Sequence, residues 1–276
     1  MRLLCIVICS LAFAGAQAAG SPAFTKALQE YQEGDVKAGF VDMQRLATQG
    51  EPEAQFALAG MYAVGHGAPK DERQAQMWIR RAADGGLPEA ELNVAELYEH
   101  GAGGAVDYAQ AATWYRKAAE QGNATAQSLL AIRYSKGQGV PKDLVQAAAW
   151  QRKAANQGSV LAQVKLGMLY EQGQGVPKDY TQAVTWYCKA IAQGDPTSEF
   201  MLGMLYFQGE GVKKDYVSAY ALLSHAAASP SPSQSNAVGM RDAVMKAMSK
   251  EEINAGKGLV GQMQRIGVLQ ALSGKH

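Results

Sequence analysis

A period of 36 residues constrains this chain more than any other feature. Trp78, Trp114, Trp150 and Trp186 lie 36 apart, as do Tyr62, Tyr98, Tyr134, Tyr170 and Tyr206. Gly50, Gly86, Gly122, Gly158 and Gly194 keep the same step. A unit of this length cannot cover its own apolar face, so neighbouring units must stack and share a core. The pattern therefore predicts a solenoid of helix pairs rather than one closed core.

One unit shows how the period works. Residues 123–135 place Ala126, Leu129, Leu130 and Tyr134 at helical spacing. Gly137-Gln138-Gly139 ends that helix, because glycine takes the left-handed conformation a helix terminus needs. Pro141 stiffens the connection, and Asp143 is placed to cap the next helix. Residues 144–156 form that second helix, with Ala147, Trp150 and Ala154 inward and Gly158 as its stop. The turn glycines recur as Gly65 and Gly67, Gly101 and Gly103, Gly173 and Gly175, Gly209 and Gly211. The cap aspartates recur as Asp71, Asp107, Asp179 and Asp215, and the small contact position as Ala75, Ala111, Ala183 and Ala219.

The ends are degenerate, as expected of solenoid caps. Residues 24–34 read as a shortened first helix and 35–49 as a second, with Asp42 where Trp belongs. At the back, Leu222 replaces the Trp and Tyr220 supplies bulk. Ser229-Pro230-Ser231-Pro232-Ser233 breaks the period, and helices are predicted at 234–248 and 250–264. Ser249 with Glu252 makes a capping box for the last of these. The tail to His276 is expected to fray.

The first residues read as an export signal. Met1-Arg2 is a basic head, residues 3–14 are apolar, and Ala16-Gln17-Ala18 has the small-x-small form of a cleavage site. The run is shorter than the roughly 20 residues a membrane span needs. Residues 1–19 are thus expected to be a signal peptide directing the chain to the periplasm, with secretion as the alternative. Residues 20–50 form an N-terminal capping half-repeat, 51–229 the repeats, and 230–276 the C-terminal capping helices and tail.

Losing the signal removes Arg2, Cys5 and Cys9, and the formal charge falls from +1 to about zero. Cys188 is then the one remaining cysteine, so no intrachain disulfide can form. It fills the place taken elsewhere by Arg80, Arg116 and Arg152. A balanced charge with no long Lys/Arg run argues against a nucleic-acid partner.

Residues 162–187 read A-x-x-x-L-G-x-L-Y-x-x-G-x-G-V-x-K-D-Y-x-x-A-x-x-W-Y. This pattern resembles the Sel1-like repeat family, relatives of the tetratricopeptide solenoids, over about residues 35–228. The resemblance implies an all-α, right-handed α/α superhelical fold that binds protein partners. Similar exported members from Gram-negative cells serve as periplasmic immunity proteins against phospholipase toxins delivered by type VI secretion. It thus implies a non-catalytic scaffold with a lipase or phospholipase effector as partner. The alternatives are an envelope regulatory or assembly adaptor and, by analogy with cysteine-rich relatives, a β-lactamase-like enzyme. The chain lacks those relatives' disulfide-spaced cysteines, Ser-x-x-Lys and Lys-Thr-Gly.

Scaffold positions repeat; partner-facing ones need not. Three first-helix columns vary: Ala57, Asn93, Leu129, Lys165, Met201; then Gly60, Glu96, Ile132, Met168, Met204; then Ala63, Glu99, Ser135, Glu171, Phe207. They lie about a turn apart on one face. The candidate binding residues are Leu129, Ile132, Arg133, Lys165, Met168, Gln172, Met201, Met204, Phe207 and Gln208. Methionine adapts to irregular partner surfaces. The same apolar side chains could instead complete packing between repeats. Arg133 stands in a column otherwise holding Met61, Leu97, Leu169 and Leu205, so it needs a partner or an open edge. The four histidines, His66, His100, His225 and His276, form no His-Glu-x-x-His motif. No metal or cofactor is predicted.

Overall fold

A computed structural model describes residues 20–102 and 104–274. The signal-peptide reading, Cys5, Cys9, Gly103 and His276 fall outside them. The described residues fall into two compact units, divided between Lys142 and Asp143, and among them the regular structure is entirely helical.

The first unit holds α1 (Pro22–Gln32), α2 (Val36–Thr48), α3 (Pro52–Val64), α4 (Glu72–Asp84), α5 (Pro88–His100), α6 (Tyr108–Glu120) and α7 (Ala124–Lys136), each packed on the next. The second holds α8 (Leu144–Asn156), α9 (Val160–Gln172), α10 (Tyr180–Ile191), α11 (Pro196–Gln208), α12 (Tyr216–Ala228), α13 (Gln234–Lys246), α14 (Lys250–Ile266) and α15 (Val268–Ser273). Here α8 to α12 stack in order, α13 and α14 both pack on α12, and α15 turns back onto α14 and α10. The helix expected at 250–264 runs on to Ile266, with the Ser249–Glu252 capping box formed. The expected fraying is corrected in part: α15 forms because Ala271 and Leu272 are buried.

The turns explain why the period is so strict. First helices end on left-handed glycines, Gly65, Gly101, Gly137, Gly173 and Gly209, whose N–H donates back to the carbonyl four residues earlier. The backbone N–H of Asp71, Asp107, Asp179 and Asp215 then donates to the carbonyl of Tyr62, Tyr98, Tyr170 and Tyr206, closing each turn at 2.9–3.0 Å. The same aspartates, with Asp143, accept backbone N–H groups of the second helix through their side chains. The second turn glycine is needed for space as well as conformation. A Cβ on Gly139 would overlap the Tyr108 carbonyl, and one on Gly175 the Leu144 carbonyl.

Between repeats, the aromatic plugs are sealed: Trp78, Trp114, Trp150 and Trp186 are 4–9% exposed. A basic side chain lies on each indole, Arg81 on Trp78, Lys117 on Trp114, Lys153 on Trp150 and Lys189 on Trp186. A second device ties successive pairs. Buried Gln55, Gln127 and Gln163 each donate to a carbonyl near the end of the preceding helix, Ala47, Ala119 and Ala155. Glu91 occupies the same column and has no amide to donate. It is buried and accepts from Gln121 at 2.8 Å. Burial raises its carboxyl above the ordinary range, opposed by the Gln121 hydrogen bond and Lys117.

Two outcomes follow. Trp114→Ala should lose about 3–5 kcal/mol in urea unfolding. Glu91→Gln keeps the acceptor for Gln121 and restores the missing donor, so it should gain about 1 kcal/mol near neutrality. Because the folded carboxyl titrates above its unfolded value, Glu91 contributes stability below the ordinary carboxylate range and loses it as pH rises through the raised value. The advantage of Glu91→Gln should therefore shrink toward acid pH, as read by melting at several pH values.

Candidate protein-binding face

The varying columns fall on the first helices, and each unit presents its own share. In the first unit, α3 is sealed: Ala57, Gly60 and Ala63 are buried. On α5, Asn93 is buried and donates to the Glu89 carbonyl, while Glu96 and Glu99 are half-buried. On α7, Leu129, Ile132 and Ser135 are half-buried. Burial raises the Glu96 carboxyl, with His100 opposing and Glu99 adding to the rise.

Arg133 does not belong to an accessible face. It is 5% exposed, pairs with Glu99 at 3.1 Å, donates to Gln138 at 2.9 Å and lies 5.5 Å from the Tyr108 ring. Tyr115 donates its hydroxyl to the same Glu99 at 2.6 Å, and burial together with that carboxylate pushes the Tyr115 phenol far up. The charge is thus held by an internal partner from the neighbouring first helix, not by an open edge. Tyr187 makes the matching bond to Glu171 at 2.7 Å, where Leu205 takes the place of the arginine.

In the second unit, α9 exposes Lys165 and Gln172 and half-buries Met168; α11 exposes Gln208 and half-buries Met201, Met204 and Phe207. Met168 and Met201 pack against the core around Tyr187, Leu202 and Leu205. Phe207 packs against Tyr220, Leu223 and Val244, with its ring 5.7 Å from Tyr216. These three side chains are shared between packing and surface, and Met204 stands outside both clusters. Leu161, which is not among the candidates read from the sequence, is 53% exposed one turn before Lys165 on α9. Its signal was an apolar residue in a column otherwise holding Glu53, Glu89, Thr125 and Thr197. Leu161, Lys165, Met168 and Gln172 form one stripe at helical spacing.

The recurring tyrosines are structural. Arg80, Arg116 and Arg152 donate to the hydroxyls of Tyr98, Tyr134 and Tyr170 at 2.9, 3.0 and 2.6 Å, and each guanidinium lies over its tyrosine ring. Three histidines are occupied locally: His66 with the Tyr31 hydroxyl, His100 with the Glu96 carbonyl and His225 with Glu199. Among the described residues, no group of three or more His, Cys, Asp or Glu could hold a metal ion. Nor is any described helix long and apolar enough to cross a membrane.

Arg133→Leu should cost about 3 kcal/mol, because it leaves the half-buried Glu99 carboxylate without its counter-charge. Adding Glu99→Ala, the residue found at Ala63, should recover much of that loss in urea unfolding. Independent, additive losses would contradict the pairing.

A family model for the Sel1 repeat matches residues 52–87, 88–123, 124–159, 160–195 and 196–231. A Sel1 repeat protein from Oxalobacter formigenes is 29% identical, with 75% of this chain and 85% of that one covered and a TM-score of 0.69. The protective antigen c5321 of uropathogenic Escherichia coli, which displays an SLR fold, is 28% identical with a TM-score of 0.57. The match takes in 93% of this chain and 63% of that longer protein. The immunity protein Pa5087 from Pseudomonas aeruginosa is 22% identical over 70% of this chain and 75% of its own, with a TM-score of 0.42. No curated protein matches the chain.

Proposed function

This chain belongs to the Sel1 repeat family, and on that footing we propose that it is a non-catalytic, protein-binding scaffold of the periplasm. Its partner, in this reading, is a phospholipase-type toxic effector of type VI secretion, which it neutralises by covering the effector's active site or membrane-facing surface. The observation that carries the binding role is the division of labour among positions. Turn glycines, cap aspartates and indoles recur and serve turns, caps and packing, and Tyr98, Tyr134 and Tyr170 are each held by an arginine, whereas Leu161, Lys165, Met168, Met201 and Met204 vary from repeat to repeat and remain open or half-open. A face built on packed helices loses little conformational freedom on binding, so its apolar contacts translate efficiently into affinity. The basic head, apolar run and small-x-small site at residues 1–19 support export.

Rescue of cells making the effector in the periplasm tests the role. Protection is expected with the full chain and not with one lacking residues 1–19; protection by both, or by neither, would contradict it. Leu161→Glu with Met204→Glu should weaken effector binding at least tenfold, about 1.4 kcal/mol, while Tm shifts by no more than a few degrees. Parallel loss of folding and binding would return both residues to the core.

A further inference from the structure

Two departures from the repeat bear on one cleft in the second unit, one through Tyr206 and the other directly. Position 188 holds Cys where Arg80, Arg116 and Arg152 stand, and position 213 holds Lys where Pro69, Pro141 and Pro177 stand. The first removes the guanidinium that occupies the tyrosine hydroxyl in the preceding repeats. Among the described residues, the Tyr206 hydroxyl has no hydrogen-bond partner. The second departure puts an exposed ammonium beside Lys214, a lysine pair that no other turn contains.

Tyr206 and Lys213 both border a cleft of about 400 Å³ whose other lining residues are Val212, Lys214, Asp215, Ser218 and Leu272. Its one carboxylate is already engaged: Asp215 accepts the backbone N–H groups of Val217 and Ser218 and the Ser218 hydroxyl. Lys214 is held in place, its ammonium 5.8 Å from the Phe207 ring and 5.0 Å from the Tyr216 ring. Burial raises the Cys188 thiol, which therefore stays neutral near pH 7. Burial also raises the Tyr206 phenol, so its hydroxyl keeps the proton it would donate. Val212 and Leu272 make an apolar wall, the latter supplied by α15.

We propose that this cleft binds an oxyanion, carboxylate or phosphate, carried on a short apolar stem. The Lys213 and Lys214 ammonium groups balance its charge, the Tyr206 hydroxyl donates to one oxygen, and Val212 and Leu272 cover the stem. The site shares no residue with the face on α9 and α11, and it stands whether or not that face binds an effector.

Calorimetric titration of the whole protein with octyl phosphate, octanoate and inorganic phosphate tests it. Saturable binding to a single site is expected for at least one stemmed anion, and the two together tell phosphate from carboxylate. Tyr206→Phe and Lys213→Pro should each weaken it by about tenfold, the loss expected for a hydrogen bond or ion contact to a charged group. Lys213→Pro installs the residue of the other turns, and neither change should move Tm by more than a few degrees. Tyr170→Phe, whose hydroxyl Arg152 already occupies, should leave binding unchanged. The proposal is overturned by no saturable binding of either stemmed anion up to millimolar concentration, or by binding that both Tyr206→Phe and Lys213→Pro leave intact. Inorganic phosphate binding as tightly as octyl phosphate would overturn the apolar stem.

Discussion

Each helix pair leaves an aromatic side uncovered, and a neighbouring pair must cover it. That requirement underlies the rest of the structure. The indole of Trp114 is capped by Lys117 from its own helix and by Arg80 from the pair before, and the same Arg80 reaches the Tyr98 hydroxyl. The buried glutamines fix where one pair meets the next by binding the carbonyls of a finishing helix. Such contacts are near neighbours in sequence, so stability in each unit builds up pair by pair rather than around one centre.

Much of this was legible in the sequence because the period states it directly. Gly173, Asp179 and Trp186 each recur at a fixed step, and turn, cap and plug fall where that step places them. What could not be read were contacts between columns. Arg133 and Glu99 lie on adjacent first helices, and their pairing depends on which faces meet. The pattern flagged the charge but not its partner. The short α15 was missed for a related reason: six residues carry no periodicity, and burial against α14 and α10 alone makes them a helix.

The candidate face was legible only in part. Variation between repeats points to first-helix columns, but variation has two physical causes. Some side chains change because nothing packs on them, as with Lys165 and Leu161. Others change because their surroundings do. Phe207 packs with Tyr220 of α12 and with Val244 of α13, a helix outside the repeats, and Cys188 lies beside the core that α15 helps to close. Burial separates the two causes; sequence alone does not.

In the function proposed, constant positions hold the stacked helices together while the open first-helix stripes receive a partner protein. Amide hydrogen exchange with and without the bound effector tests this most directly. New protection should concentrate on α9 and α11, with α8, α10 and α12 little changed. Protection confined to the second helices and turns, or none at all in a saturated complex, would contradict it.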